Sequence, residues 1–241
     1  QAKTLAASFP YVLNVTAGAF AQLAAHDFDR ARVILRETAT LGEVIWLSEG
    51  RSLDLYFNGD AKAVRDTTRR GFHGQPFDIN VLPAQGRRKK LLVADMDSTI
   101  IGCECLDELA DMAGIRDKVS AITERAMRGE LDFASALRER VGLIKGLSLH
   151  ALARVYAERV RLNPGAKALL ATMRKSGAYT LLVSGGFTYF TTRVAADAGF
   201  EENRGNILRD NGDALTGEVG EPVLGRDRKS TRLNSSHVKR S

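Results

Sequence analysis

Two aspartates one residue apart, Asp95 and Asp97, close the apolar run Leu91-Leu92-Val93-Ala94. A short aliphatic run bounded by polar residues reads as a buried strand of a parallel sheet, and ligands of such sheets collect beyond the strands' carboxyl ends. If the chain leaves the strand extended, side chains two apart point the same way, so both carboxylates face one reacting group while Met96 turns away. One carboxylate can then attack and the other can move a proton. Strand-ending aspartates followed by a helix-capping Ser98 or Thr99 are the alternative. Two adjacent acids at the mouth of an apolar strand repel, however, and need a compensating cation.

A second candidate is Ser184-Gly185-Gly186, placed by pattern between the strand Tyr179–Val183 and a helix over Tyr189–Ala198. Free N–H groups at a helix start attract anions, and glycine lets the backbone approach them. The same tripeptide also makes plain turns, and on its own it leaves the two readings level.

The elements that must position these residues fall into two parts. In the first, a strand at Tyr11–Val15, a helix at Asp29–Glu37, a hairpin of Glu43–Leu47 with Leu53–Phe57, a helix at Ala61–Arg70 and a strand at Phe77–Leu82 form a small α+β domain over 1–82. Pro83-Ala84-Gln85-Gly86-Arg87-Arg88 reads as a linker over 83–88, and a second domain follows over 89–226. The stretch between Val93 and Tyr179 exceeds the roughly thirty residues of a strand-helix-strand unit. It reads as four amphipathic helices, Leu106–Met112, Asp117–Met127, Phe133–Leu143 and Leu149–Val160, inserted as a cap at about 103–160. Pro164 suits the first turn of a helix ending near Lys175, and Asp210-Asn211-Gly212-Asp213 signals a hairpin.

With 241 residues and 44% hydrophobic content the chain can build sizeable cores. No run approaches the ~18 apolar residues of a membrane span, and no export signal opens the chain, so the expectation is a cytoplasmic protein. Cys103 and Cys105 are too few for a disulfide framework. The net charge of +6 is concentrated in 227–241, where five basic residues stand against one acid. The rest is nearly neutral, with no basic stripe interleaved with aromatics, so neither nucleic acid nor membrane is expected as a partner.

The Asp95-Met96-Asp97 and Ser184-Gly185-Gly186 segments together resemble the first and second motifs of the haloacid-dehalogenase-like phosphatases, and within them the phosphoserine phosphatase family, from about Lys89 to Gly225. The resemblance implies a Rossmann-like parallel sheet with an inserted helical cap and an ACT-like, ferredoxin-like domain before it, which could instead be a packing or homodimerisation module. It implies hydrolysis of O-phospho-L-serine, the last step of serine biosynthesis, with Asp95 as nucleophile and Asp97 as general acid and base. Ser184 and Gly185 would bind the phosphoryl group. A magnesium ion, held by Asp95 and the Asp97 backbone carbonyl, would offset charge.

Phosphoserine also carries an ammonium and a carboxylate, which call for an acid and a guanidinium. From residue type alone Glu104 reads as a helix-start acid and Arg140 as a solvated helical charge. The resemblance makes them the holders of the amino and carboxyl groups, with Met127 and Phe133 as apolar shields. Two alternatives remain open: a phospho-ligand binding protein without hydrolysis, and a phosphatase of another small phosphomonoester.

The family pattern stops near Asp227. The family's glycine-flanked acidic motif, which completes the magnesium shell, is absent, and Lys229 is a doubtful stand-in for its phosphate-binding lysine. Residues 227–241 resemble a translated sequencing adapter or a disordered basic tail, and on this reading the chain as it stands is impaired as an enzyme.

Overall fold

Apolar residues on both faces of Tyr11–Ala17 make this segment, β1, the centre of the first sheet: Val12, Leu13, Val15 and Ala17 are all buried. The structure is a computed structural model that describes residues 7–18 and 21–225, and its contacts divide the chain into two units, 1–89 and 90–241.

In the first unit β1 is followed by α1 (Ala25–Leu35), β2 (Ala39–Ser48), β3 (Ser52–Gly59), α2 (Ala61–Gly71) and β4 (Phe77–Pro83). The strands lie in the order β2-β3-β1-β4 with every pairing antiparallel. Leu13, Val15, Leu53, Leu55 and Phe57 build a core with Leu35 of α1 and Val64 of α2. Asp60 starts α2 by accepting hydrogen bonds from the backbone N–H groups of Lys62 and Ala63 at 2.7 and 2.9 Å, as an N-cap should.

The expected linker is not free. Pro83 ends β4, Ala84 is buried beside Val12 and Tyr56, and the Arg87 guanidinium forms a two-pronged ion pair with Asp54 on β3. Asp54 is 2% exposed and also accepts from Asn14 Nδ2 at 3.0 Å, so the acid is buried with its charge met.

The second unit is α/β. Strands β5 (Leu91–Ala94), β6 (Tyr179–Phe187) and β7 (Glu202–Asn206) form a parallel sheet in the order β5-β6-β7. Between β5 and β6 come α3 (Cys105–Met112), α4 (Arg116–Met127), α5 (Phe133–Leu143), α6 (Leu149–Arg159) and α7 (Ala166–Lys175). After β6, α8 (Thr188–Ala198) packs on β6 and β7, and the hairpin of β8 (Leu208–Asp210) and β9 (Leu215–Val219) packs on α5. The core joins Met96, Ile101, Leu109, Val141, Leu152, Leu170, Leu182, Phe187 and Phe190.

Several expectations are corrected. Among the described residues β5 is an edge strand rather than a fully buried one, with Leu91 and Val93 each 39% exposed. Pro164 precedes its helix: Gly165, at φ +88°, is the N-cap and α7 begins at Ala166. Strand β6 does not stop at Val183 but runs through Ser184-Gly185-Gly186 to Phe187, with its pairing to β7 interrupted between Val183 and Phe187. Of β7 only Asn206 was expected in a strand, as the start of a hairpin arm over 206–208 facing 214–217; residues 202–205 offer no apolar run, and the hairpin arms are Leu208–Asp210 and Leu215–Val219 instead. The tail 227–241, Lys229 included, lies outside the described residues.

Candidate active site

Beyond β5 the chain makes one irregular turn, Met96–Ile100. Met96 is fully buried, and its N–H donates to Asp95 Oδ1 at 2.9 Å, which fixes the first carboxylate at the strand end. Asp97 stays extended at φ −66°, ψ 137°, and Ser98 then turns into the left-handed region at φ +51°. That reversal lets Ile101 N–H return to the Met96 carbonyl at 3.1 Å and aims Asp95 and Asp97 into one cavity.

The cavity holds about 370 Å³ and is lined at one end by Asp95, Asp97, Ser184, Gly185 and Gly186. Phe133, Leu137 and Arg140 of α5 line it too, with Glu104, Leu106, Phe187, Leu224 and Gly225. Of the expected site residues, Asp95, Asp97, Glu104, Arg140, Ser184, Gly185 and Phe133 therefore meet. Met127 does not: at the end of α4 it is 84% exposed and does not line the cavity, a correction to its expected shielding role.

Strand β6 supplies the opposite wall. Ser184 is 1% exposed, and its Oγ donates to Asp97 Oδ2 at 3.0 Å while accepting from Gly186 N–H at 2.8 Å. The glycines are required by space. A Cβ on Gly186 would lie 2.9 Å from Asp97 Oδ2 and 3.1 Å from Ser184 Oγ, and one on Gly185 would lie 2.9 Å from the Phe133 ring.

The electrostatics separate the two aspartates. Burial raises the Asp97 pKa, opposed by hydrogen bonds from the Cys105 N–H (3.0 Å to Oδ1), the Cys105 thiol and Ser184, and the neighbouring Asp95 raises it further. Glu104 is also shifted upward, chiefly by partial burial, despite a 2.7 Å bond from the Ser98 hydroxyl. Burial lowers the Arg140 pKa, though a guanidinium keeps its charge, and its Nε donates to the Ala136 carbonyl at 3.2 Å.

Sequence reasoning missed Asn206. It ends β7, is 2% exposed, donates to the Gly185 carbonyl at 2.7 Å and the Leu224 carbonyl at 3.3 Å, and accepts from Leu224 N–H at 2.6 Å. One side chain thus ties together two backbone segments of the cavity wall. An isolated asparagine in a polar stretch gives no periodic signal, and only an unexplained buried amide would have marked it.

For a cation the donors are oxygens: the Asp95 carboxylate and the groups of Asp97. Among the described residues no three or more His, Cys, Asp or Glu are placed to hold a metal ion together. Such a set suits a hard ion that keeps several of its waters, as magnesium does, more than one needing a full protein cage.

A parallel sheet that delivers two aspartates and a Ser-Gly-Gly segment to one cavity is an α/β site built for an anionic ligand beside carboxylates. Residues 92–241 match the family described as haloacid dehalogenase-like hydrolase, and the chain belongs to that family. It is 49% identical over 131 residues to a phosphoserine phosphatase of Polaromonas sp., covering 54% of this chain and 56% of that one. A solved structure titled as a phospho-aspartyl intermediate analogue of phosphoserine phosphatase is 33% identical, with a TM-score of 0.56 over 61% of this chain and 70% of that chain. A family hydrolase of Salmonella enterica serovar Typhi shares the fold, with a TM-score of 0.79 at 23% identity over 95% of this chain and 78% of that one. The chain spans about half the length of the curated relatives it matches. No helix among the described residues is long and apolar enough to cross a membrane.

Proposed function

We propose that this site hydrolyses O-phospho-L-serine to L-serine and phosphate through an aspartyl-phosphate. The observation that carries the reading is that one cavity holds the Asp95, Asp97 and Ser184 cluster together with Glu104 and Arg140. A nucleophilic acid, a proton-carrying acid and a serine hydroxyl suit a phosphoryl group once a cation offsets the charge. An acid and a guanidinium suit an amino acid's ammonium and carboxylate.

In the first step an Asp95 carboxylate oxygen attacks phosphorus and the bond from phosphorus to the serine oxygen breaks. The departing oxygen takes the proton carried by Asp97, whose burial favours the protonated form this step needs. In the second step Asp97 accepts a proton from water, the water oxygen attacks phosphorus, and the Asp95–phosphorus bond breaks. Ser184 holds Asp97 in place through its 3.0 Å bond, and Gly185 gives the phosphoryl group close access to backbone. Asp95 and the Asp97 carbonyl would hold magnesium, which when bound supplies positive charge between carboxylate and phosphate.

Helices α3 to α6, inserted between β5 and β6, act as a cap that excludes water, with Phe133 against Gly185 and Gly225 as its apolar contact. For the first unit, the alternation of strands and helices with the order β2-β3-β1-β4 supports an ACT-like, ferredoxin-like domain with a regulatory or homodimerising role.

The test is phosphate release from phosphoserine with magnesium, for the chain and for Arg140→Ala, beside a phosphomonoester that lacks a carboxylate. The expected result is a KM raised by roughly tenfold or more for phosphoserine in the variant and little changed for the other ester. Equal effects on both would make Arg140 structural, and tight binding without turnover would match either a phospho-ligand binding protein or the impairment expected of the chain as it stands.

A further inference from the structure

Ser98 is the one non-glycine residue among those described with a positive φ, +51°, and it does not line the cavity. Left-handed backbone is ordinarily given to Gly, Asn or Asp, so a serine held there calls for a reason. Its side chain supplies one: Ser98 Oγ donates to Glu104 Oε1 at 2.7 Å. Its backbone N–H donates to the Cys103 carbonyl at 3.3 Å, and the adjoining Cys105 N–H donates to Asp97 Oδ1 at 3.0 Å. Residues 97–98 are therefore clasped to 103–105 by three hydrogen bonds.

Glu104 occupies the N-cap of α3, but its carboxylate makes no capping bond to the helix. It lines the cavity instead. From this we infer that Ser98 is a positioning residue for substrate selection: its hydroxyl holds Oε1 and keeps Glu104 off its helix, so that Oε2 is presented to a cationic group, the ammonium of an amino-acid phosphoester. The inference rests on the proposed substrate and deepens it. Serine suits the task because its short side chain reaches Glu104 from a turn that β-branched residues tolerate poorly.

The probes are the phosphonate analogue of phosphoserine, in which a methylene replaces the ester oxygen, and the same compound without its amino group. Neither can be hydrolysed, so calorimetric titration of the full chain with magnesium reads binding alone. Ser98→Ala and Ser98→Gly should each weaken the amino phosphonate roughly tenfold and change the amine-free one by less than about twofold. Glycine relieves the left-handed turn but lacks the hydroxyl. A glycine variant that binds like the wild type, or equal weakening of both ligands, would overturn the role. Glu104→Gln separates the two readings. If the wild type prefers the amino compound and only Glu104→Gln removes that preference, Ser98 is not the positioning group. If the wild type has no preference, the substrate reading fails and the inference falls with it.

Discussion

Asn206 Nδ2 donates to the Gly185 carbonyl at 2.7 Å, linking the end of β7 to the Ser-Gly-Gly wall of the cavity. The same amide receives Leu224 N–H at 2.6 Å, so both of its ends are engaged inside the protein. Asn206→Ala would take this partner from the Leu224 N–H and from the Gly185 and Leu224 carbonyls, at about 1–3 kcal/mol for each group left unsatisfied. The expected outcome is a lower unfolding midpoint in denaturant together with a loss of turnover. An Asn206→Ala chain with unchanged stability would show that the 185 and 224 segments are held by something else.

Gly186→Ala separates chemistry from folding. The added methyl would meet Asp97 Oδ2 and Ser184 Oγ, both polar groups of the site, so the strain falls on the proposed proton carrier and on the serine that holds it. Turnover should drop by roughly a hundredfold, on the scale of losing one aligned catalytic group. Circular dichroism should stay native. Full activity in this variant would mean that Asp97 and Ser184 can shift without cost.

In the first unit, Arg87 faces the buried Asp54, which Asn14 also serves. Arg87→Ala strips the cation from a buried carboxylate and should destabilise this unit by about 3 kcal/mol, the low end for breaking a buried pair. Asp54→Asn with Arg87→Ala should recover part of the loss, since an amide needs no counter-charge. A single variant that unfolds like the wild type would show the pair to be solvated in practice.

The sequence made the acids legible because a carboxylate pair after an aliphatic run has few structural uses, and the helices because their apolar spacing is regular. What stayed hidden had its information elsewhere. Strand β7 is polar and is recognised only by its parallel pairing with β6. The Ser184-Gly185-Gly186 segment was legible only as a strand end, anion site or plain turn, whereas here the glycines admit Phe133 and Asp97 within a continuing strand. Asn206 and the Arg87–Asp54 pair are single polar residues that matter through partners more than fifteen positions away. In the sequence Ser98 reads only as an alternative helix cap beside Thr99, and its left-handed turn has no signature in residue type.

The most direct test of the account asks whether Asp95 becomes phosphorylated. The chain, Asp95→Asn and Asp97→Asn are mixed with phosphoserine labelled at phosphorus, with magnesium present, quenched in acid, and assayed for protein-bound label that is released by hydroxylamine, as an acyl phosphate is. The account predicts label on the chain, mapped to Asp95, and none on Asp95→Asn, because an amide oxygen is a poor nucleophile towards phosphorus. In Asp97→Asn it predicts slow labelling and slower release, since the proton donor and the activator of water are both gone. Acid-stable label, or label of normal amount on Asp95→Asn, would contradict it.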